Sequence, residues 1–321
     1  MKLISVVTPT YNEAENVRDV YLQTKAVFDS LPYDYEHIFI DNASTDATVA
    51  ILKQIAAKDH RVKIIVNARN FGPIRSPYHG LLQTHGDAVV LLVSDLQDPP
   101  SMIRDFLEQW EQGYKVVLGL KTQSEEWWPF FRLRKLYYTL LSLVSGTELT
   151  KNNTGFGLYD RQMIDVLRDI PDPYPYFRGL IAEIGFESAK IEYLQPKRKR
   201  GISKYNFYTL YDIAMLGITS HSKVPLRIAT MLGFMLSCFG LVIALGYLVA
   251  KLMYWNTFAA GIAPIVIGGF VFLSMQLFFI GFLGEYIAAI HTQVLRRPLV
   301  VEKERINFDP PATRSSAGDP S

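Results

Sequence analysis

The chain has 321 residues, and 49% of them are apolar, which is a high share for a protein that lies entirely in water. Its single cysteine, Cys238, excludes an internal disulfide framework. The formal net charge of +2 is not the basic excess that is typical of nucleic-acid binding, so we expect no nucleic-acid partner.

The first 120 residues alternate between short aliphatic runs and stretches with helical spacing. The aliphatic runs predict strands over 4–7, 37–40, 63–66, 88–93 and 115–118. The stretches between them predict helices over 13–31, 46–58, 77–84 and 101–112, with Ser76 and Pro77 as an N-cap and first-turn pair. Such alternation predicts an α/β fold with a mostly parallel sheet, whose ligand site lies at the carboxyl ends of the strands.

Polar residues follow three of these predicted strands, over 8–13, 41–46 and 94–100. None of the three segments is a glycine-rich phosphate loop, which argues against a dinucleotide-dependent oxidoreductase or a P-loop enzyme. Acids and an aromatic residue occupy these positions instead. They suit a nucleoside held by hydrogen bonds and a diphosphate held through a metal ion.

Asp95 and Gln97 are alternate residues after the fourth predicted strand, so both side chains are expected to converge on one point while Leu96 turns into the protein. Oxygen ligands at this spacing suit Mg²⁺ or Mn²⁺. A helix-capping acid before Pro99 and Pro100 explains the same spacing equally well, and both interpretations stay open on spacing alone.

Two long uncharged runs lie in the C-terminal half of the chain. No charged residue occurs over 228–250, and after Lys251 none occurs until Glu285. Since about 20 helical residues cross a hydrocarbon core, we predict transmembrane helices over 228–253 and 263–285. A pair of buried core helices is the alternative, but such helices are usually shorter and keep one polar side.

Basic residues flank the predicted membrane pair. Lys223 and Arg227 precede the first helix, and Arg296 and Arg297 follow the second, so the positive-inside rule places both termini in the cytoplasm. Small residues form two faces for helix contact, either within the chain or in a homo-oligomer. These pairs are Gly233 with Ser237 and Gly240 with Ala244.

Several short motifs occur in a specific order along the chain. They are Pro9-Thr10-Tyr11-Asn12-Glu13, Asp41-Asn42-Ala43-Ser44-Thr45-Asp46, Arg69-Asn70-Phe71-Gly72, Asp95-Leu96-Gln97-Asp98-Pro99-Pro100, Gly155-Phe156-Gly157-Leu158-Tyr159-Asp160, Arg200-Gly201-Ile202-Ser203-Lys204-Tyr205 and Gly217-Ile218-Thr219-Ser220. The set resembles family-2 glycosyltransferases of the GT-A (Rossmann-like) fold. With two membrane helices after it, the set is similar to the polyisoprenyl-phosphate glycosyltransferases, which include dolichyl-phosphate mannose synthase and the bacterial undecaprenyl-phosphate glucosyltransferases of O-antigen glucosylation.

The resemblance implies four parts in the chain. They are a cytoplasmic GT-A catalytic domain (1–205), amphipathic juxtamembrane helices (206–227), a two-helix transmembrane domain (228–285) and a cytoplasmic C-terminal tail (286–321). A bacterial inner membrane is the expected location.

For the donor side, the resemblance implies that Pro9, Tyr11, Glu13 and Asp41 hold the nucleoside. For Asp41 a helix N-cap is the alternative role, which Ser44 or Asp46 could fill instead. Asp95 and Gln97 are implied to anchor Mg²⁺ or Mn²⁺, which bridges the diphosphate and neutralises the leaving nucleotide.

For the acceptor side, the resemblance implies that Arg132, Arg200 and Lys204 surround a lipid phosphate. Asp160 is expected to orient the acceptor or a neighbouring arginine, with a structural ion pair as the alternative. The chain departs from the common family pattern at two positions: Val93 replaces an Asp, and Gly157 replaces an Arg. We therefore expect fewer protein ligands to the metal and one phosphate-binding cation fewer.

The expected reaction is inverting transfer of a hexose from a nucleotide-sugar to polyprenyl phosphate, with UDP-glucose as the expected donor. Mannose, galactose and amino sugars stay open as the transferred group. A processive polysaccharide synthase is disfavoured, because the sequence lacks a Gln-x-x-Arg-Trp motif. The non-enzymatic alternative is a membrane protein that binds nucleotide-sugars without transfer.

Overall fold

The computed structural model describes residues 1–121, 150, 153–195, 215–216, 224–254 and 262–308. The strands are β1 (Leu3–Thr10), β2 (Asp34–Asp41), β3 (Val62–Asn67), β4 (Ala88–Leu91), β5 (Val116–Lys121), β6 (Asn153–Asp160), β7 (Ser188–Tyr193) and β8 (Glu302–Ile306). The helices are α1 (Val17–Phe28), α2 (Thr48–Ala56), α3 (Gly72–Leu82), α4 (Ile103–Glu111), α5 (Arg161–Asp169), α6 (Phe177–Ile184), α7 (Val224–Met253) and α8 (Ile262–Val294).

The described strands form one sheet in the order β7-β5-β6-β4-β1-β2-β3-β8. β1 pairs in parallel with β2 and β4, and β2 pairs in parallel with β3. β6 and β8 run antiparallel to their neighbours. The five predicted strands and the mostly parallel α/β architecture are thus confirmed, while β6, β7 and β8 were not predicted.

Helices cover both faces of the sheet, because the central strands are apolar on both sides. In β1, Ile4 and Val6 point to the face covered by α1, α2 and α4, and Val7 points to the face covered by α3, α5 and α6. Two hydrophobic cores result, one on each side of the sheet. Together they hold the strand ends, and therefore the loops that follow them, in fixed positions.

Helix α3 begins earlier than the sequence indicated. It starts at Gly72, with a proline in its first turn, so Pro77 lies inside the helix and Ser76 is not its N-cap. The buried Ser76 hydroxyl instead accepts a hydrogen bond of 3.0 Å from Asn67 Nδ2 at the end of β3. The Ser-Pro pair is a local signal for a helix start, and here tertiary contacts override it.

The chain divides into two compact units, and β1 to β7 belong to the first. Strand β8 also belongs to this unit, although it comes after α8 in the sequence. It pairs with β3, and His79 Nε2 on α3 lies 2.5 Å from Glu302 Oε1. The segment that the sequence indicated as a tail therefore contributes an edge strand to the sheet.

Helices α7 and α8 belong to the second unit, and their positions match the two predicted membrane segments. Within the described ranges, one stretch, Phe272–Val294, is long and apolar enough to cross a bilayer, judged by length and composition. A shorter apolar stretch, Thr230–Gly240, lies in α7. One span is therefore supported, and the second stays a prediction.

Candidate active site

The candidate site lies at the carboxyl edge of the sheet, where β1, β2 and β4 end next to one another. Thr10 at the end of β1 pairs with Asp41 at the end of β2, and Leu91 ends β4 beside Val7. Polar loops follow all three strands, as the sequence indicated. Because parallel strands bring their carboxyl ends to one edge, residues that are far apart in sequence, such as Val7 and Leu91, meet there.

Asp41 is fully buried and hydrogen-bonded within its own loop. Its Oδ1 accepts bonds from Ser44 Oγ at 2.5 Å and Thr10 Oγ1 at 3.3 Å, and its Oδ2 accepts a bond of 2.8 Å from Ser44 N. Burial raises the pKa of Asp41, and the bonds from Ser44 and Thr10 act against that rise. Asp41 thus stabilises the turn after β2.

The alternative role for Asp41, capping of α2, is filled by Asp46, which lies one residue before the N-cap position Ala47. Asp46 Oδ1 accepts bonds of 2.9 Å from Thr48 N and 2.5 Å from Thr48 Oγ1 at the start of α2. These bonds satisfy donors of the first helical turn. Asp41 is therefore not the cap of α2.

The loops after β1 and β2 are joined by hydrogen bonds. Asn12 N donates to Ser44 Oγ at 2.8 Å, and Thr45 N donates to Asn12 Oδ1 at 2.7 Å. Glu13 N donates to Thr48 Oγ1 at 2.8 Å. These bonds hold one composite surface, on which Pro9, Tyr11 and Glu13 are partly exposed. Of the residues predicted to hold the nucleoside, these are the accessible ones.

An open pocket of about 290 Å³ lies beside this composite surface. It is lined by Asn12, Glu13, Ala14, Glu15, Asn16 and Asp46. Asn16 Nδ2 donates a bond of 2.6 Å to Glu13 Oε2, which orients the Glu13 carboxylate. The pocket is acidic, so hydroxyl and N–H donors of a ligand suit it better than phosphate oxygens do.

Each of the three loops contains one residue other than glycine in the left-handed region. These residues are Asn12 (φ 54°), Ala43 (φ 62°) and Leu96 (φ 57°). Such conformations cost free energy for L residues and persist where the surroundings impose them, commonly at functional sites. Their coincidence at one edge of the sheet marks this edge as the part of the fold that holds a special geometry.

Asp95 and Gln97 lie in a turn beyond β4, because the strand ends at Leu91. The prediction that both side chains converge because they alternate along a strand is therefore wrong. The left-handed Leu96 reverses the chain between them and packs against the core, and Gln97 N donates a bond of 3.1 Å to Asp95 Oδ1. Both side chains stay partly exposed on the same turn.

The donor set of this turn fits a hard divalent cation. Among the described residues, no group of three or more His, Cys, Asp or Glu side chains could hold a metal. The oxygens of Asp95 and Gln97 are the predicted protein ligands, and diphosphate and water oxygens would complete the coordination. Mg²⁺ commonly binds through one or two carboxylates together with substrate phosphates.

Asp98 follows this turn and is buried with 2% exposure. It accepts a short hydrogen bond from the Tyr193 hydroxyl at the end of β7. Burial raises the pKa of Asp98 to about 6, with the bond from Tyr193 opposing the rise and the charge of Asp95 adding to it. This hydrogen bond connects the turn to β7, the first strand in the sheet order. The sequence motifs did not indicate this contact.

A network of amides fixes the loop after β3. Asn42 Nδ2 donates to Asn70 Oδ1 at 2.8 Å and to Gly72 O at 3.1 Å, and Asn42 Oδ1 accepts from Phe71 N at 2.8 Å and Asn67 Nδ2 at 3.2 Å. The Asn42 amide thereby uses all four of its bonding positions. Sequence reasoning noted these asparagines only as parts of motifs, and their shared position after neighbouring strands was the available signal.

Asp160, which was predicted to be catalytic, lies at the opposite edge of the sheet. It pairs with Ala88 at the amino end of β4, because β6 is antiparallel to β4. Its oxygens accept bonds of 2.7 Å from Trp110 Nε1 and 2.9 Å from Gln162 N, and Lys115 Nζ lies at 3.3 Å. Asp160 caps α5 and forms an ion pair, which is the structural alternative named above.

The remaining predicted acceptor residues, Arg132, Arg200 and Lys204, lie outside the described residues. Gly157 lies inside β6, where an added Cβ would overlap the carbonyl oxygen of Val117. With this backbone the position excludes any side chain, so strand packing accounts for this glycine. Val93 is partly exposed in the loop before Asp95.

Comparisons with known proteins agree with this architecture. Residues 5–168 match the model of Glycosyl transferase family 2. The chain is 30% identical to the SfII prophage-derived bactoprenol glucosyl transferase of Shigella flexneri over 318 residues, which cover 96% of this chain and 99% of that protein. It is 32% identical to an uncharacterized glycosyltransferase of Bacillus subtilis, covering 95% of this chain and 94% of the relative.

Among solved structures, the fold is similar to glucosyl-3-phosphoglycerate synthase from Mycobacterium tuberculosis, with a TM-score of 0.50 and 22% identity over 68% of this chain and 78% of the other. This likeness supports a GT-A-like α/β fold. The family match spans about half of the chain, and two relatives at 30% identity or more cover nearly all of it. The chain therefore belongs to glycosyl transferase family 2.

Proposed function

We propose that this chain transfers glucose from UDP-glucose to a polyprenyl phosphate at a membrane surface. The observation that carries the proposal is the match over almost the full length to a bactoprenol glucosyl transferase, which extends through α7 and α8 as well as the family-2 domain. A match confined to the domain would support sugar transfer but not the lipid acceptor. Transfer of mannose, galactose or an amino sugar is less well supported, because the named relatives are glucosyl transferases.

On the donor side, Pro9, Tyr11 and Glu13 bind the nucleoside, because they are the partly exposed members of the predicted set. The Tyr11 ring packs against the base, and Glu13 accepts bonds from ribose hydroxyls or base N–H groups. Asp41 has no exposed surface, so it acts by holding the loop that carries Ser44.

Asp95 and Gln97 would hold Mg²⁺ or Mn²⁺ at the donor site. When bound, the cation supplies Lewis-acid stabilisation of the charge that develops on the leaving nucleotide. The Mycobacterium tuberculosis enzyme of similar fold was crystallised with Mn²⁺ and UDP-glucose, which is consistent with use of a divalent cation. The Asp98–Tyr193 pair keeps the turn in place.

The reaction is a single displacement that needs no strong base. A phosphate oxygen of the lipid attacks the anomeric carbon, the bond from that carbon to the diphosphate oxygen breaks, and UDP leaves with the electron pair. Since a phosphate monoester has a second pKa of about 6, the nucleophile is already largely dianionic at neutral pH. The placement of Asp160 at the far edge agrees with this division, and Arg132, Arg200 and Lys204 are the proposed acceptor cations.

The proposed setting is a bacterial inner membrane, with α8 and α7 as two spans and both termini in the cytoplasm. On α8, Leu277 and Phe278 are each 68% exposed, and apolar side chains of this kind need lipid or a partner to cover them. Residues 1–205 form the proposed catalytic domain, and 206–227 lead into the membrane. Homo-oligomers through the small residues of α7 remain part of the proposal.

The test uses the purified full chain in detergent, with farnesyl phosphate as acceptor and a panel of UDP-glucose, UDP-galactose, UDP-N-acetylglucosamine and GDP-mannose. We expect glucosyl lipid from UDP-glucose with Mg²⁺ or Mn²⁺, and none after chelation. Product from another sugar alone would correct the donor, and tight UDP-glucose binding without any glycolipid would overturn the proposed activity.

A further inference from the structure

Two arginines flank one aromatic ring beside the carboxyl edge. The guanidinium carbon of Arg69 lies 4.1 Å from the centroid of the Phe71 ring, and that of Arg75 lies 5.4 Å from the same centroid. Arg75 also lies 5.9 Å from the centroid of Tyr174. The two rings hold the guanidinium groups in place through cation–π contact without neutralising them.

The charge of Arg297 acts on the same place. Burial lowers the pKa of Arg75, and the positive charges of Arg69 and Arg297 lower it further. These three residues, Arg69, Arg75 and Arg297, are called the arginine cluster below. Like charges are costly to gather unless an anion is bound between them for part of the time.

The arginine cluster has no anionic partner within the part of the chain that the structure describes. None of its three members forms a salt bridge there, and Arg75 Nε is buried without a hydrogen-bond partner. Arg161, at the other edge of the sheet, shows the ordinary case: its Nε donates to Gly86 O at 2.7 Å and its Nη1 donates to Thr84 O at 3.1 Å. A buried donor that lacks a partner calls for a ligand.

The covalent chain ties the arginine cluster to the end of α8. Arg297 follows Val294, the last residue of α8, by three positions, and three residues of chain span about 10 Å at most. The chain after Arg297 is anchored to the first unit, where Val300 is buried and Ala68 N donates a bond of 2.8 Å to Val301 O. If α8 crosses the bilayer as proposed above, Arg297 lies at the level of the lipid headgroups.

We propose that the arginine cluster is a binding site for a phosphate group carried by a membrane lipid, separate from the metal-dependent donor site. The proposal rests on the membrane placement of α8 in the proposed function. A planar guanidinium group can donate two parallel hydrogen bonds to two oxygens of one phosphate. In Arg75, Nε is a donor that lacks a partner among the described residues. A lipid headgroup bound there would attach the first unit to the bilayer surface.

The test measures binding to the full chain in uncharged maltoside micelles at low salt, by calorimetry. The probes are short-chain phosphatidylglycerol, farnesyl phosphate, inorganic phosphate and UDP. Variants Arg75→Gln and Arg297→Gln each remove one charge, and Arg297 is exposed, so its variant is expected to fold normally. Lys58→Gln is the matched control, because it removes an exposed charge near the amino end of β3.

We expect each arginine variant to weaken binding of a lipid phosphate about tenfold, since a charge-assisted bond to phosphate contributes on that scale. The control and UDP binding should not change. If the arginine variants weaken binding of phosphatidylglycerol, the ligand is a bilayer lipid. If they weaken binding of farnesyl phosphate alone, the ligand is the acceptor. Both results support the site. The proposal is overturned if neither lipid depends on the arginines, or if only inorganic phosphate or UDP does. Glucosyl transfer is assayed in the same samples, so lipid binding without transfer would count against the proposed function and not against this site.

Discussion

The two edges of the central sheet carry the same residue types and use them differently. At the amino edge, Glu36 is buried and accepts bonds of 2.5 Å from Ser5 Oγ, 2.7 Å from Lys63 Nζ and 2.9 Å from His85 N. At the carboxyl edge, Glu13 and Asp95 stay partly exposed on loops with left-handed residues. The Glu36 charge at the amino edge is neutralised within the fold, whereas the Glu13 and Asp95 carboxylates at the carboxyl edge reach the surface.

The arginines repeat this contrast. Arg161 at the amino edge donates to backbone carbonyls, while Arg75 near the carboxyl edge keeps a buried nitrogen without a partner. Similar residue types therefore have different surroundings at the two edges, and residue type alone does not decide the role of an acid or a base.

The largest effect is expected for Asp95→Asn. Loss of one charged oxygen ligand should lower the rate of glucosyl transfer about 1,000-fold, because metal binding and leaving-group stabilisation both depend on it. The fold should be unaffected, since Asp95 is partly exposed and lies on a surface turn. Rates are measured with UDP-glucose and farnesyl phosphate over a range of Mn²⁺ concentrations.

An exposed acid on α4 serves as the control for that variant. Asp105→Asn removes the same charge without touching the turn and should transfer at the wild-type rate. Undiminished activity of Asp95→Asn in the presence of a chelator would break the distinction between the two edges.

At the amino edge, Glu36→Gln should destabilise the protein by about 3 kcal/mol, because it leaves the Lys63 ammonium facing an uncharged partner in a largely buried site. The exposed pair of Lys2 and Glu111 provides the matched case, in which Glu111→Gln should cost less than about 1 kcal/mol. Thermal unfolding in detergent measures both, at about 2 to 4 °C per kcal/mol for a chain of this size. Equal shifts for the two variants would contradict the comparison.

The same carboxylate predicts a dependence on pH. Burial raises the pKa of Glu36, but the bonds from Lys63, Ser5 and His85 outweigh it and leave the pKa below the ordinary 4.5. A lowered pKa in the folded state contributes stability that is present above pH 4.5 and is lost as pH falls through the folded value. Glu36→Gln should therefore flatten the acid side of the stability profile.

Asp160→Asn tests the structural role of Asp160. The new amide group would direct its N–H donors either toward Trp110 Nε1 and Lys115 Nζ or toward Gln162 N, so we expect a loss of stability of about 2 kcal/mol. Once the protein is folded, the rate of transfer and its pH profile should match those of the wild type. A catalytic role for Asp160 would be supported if the wild-type rate rises with pH through the titration of an essential base and a stable Asp160→Asn variant loses that rise.

The smallest effect concerns strain at the carboxyl edge. Ala43 has a φ of 62°, which glycine adopts at lower cost, so Ala43→Gly should raise the free energy of unfolding by up to about 1 kcal/mol. Ala57 at the end of α2 has an ordinary φ of −67°, and Ala57→Gly should lower it instead. If the thermal midpoints of both variants move in the same direction, the backbone of Ala43 is not strained.

The sequence by itself determined the type of fold and the edge that carries the site. The run 88–93 is apolar at every position, and runs 4–7 and 37–40 hold one polar residue each. Such runs are typical of strands buried on both faces, and together with the helical stretches between them they indicate a parallel sheet. Polar segments directly after those strands then mark the carboxyl edge. The Asp95 and Gln97 positions followed from the same local reasoning, although a turn rather than a strand presents them.

Only the tertiary structure decided the roles that depend on strand direction and long-range pairing. Asp160 ends a motif similar to those at the site, but β6 runs antiparallel, and this reversal carries Asp160 to the amino edge. Likewise β8, which follows α8 in the sequence, pairs with β3. This pairing brings Arg297 near Arg75. Local pattern determines which residues form a strand, while its direction and neighbours arise from packing between distant segments, which no short window of sequence contains.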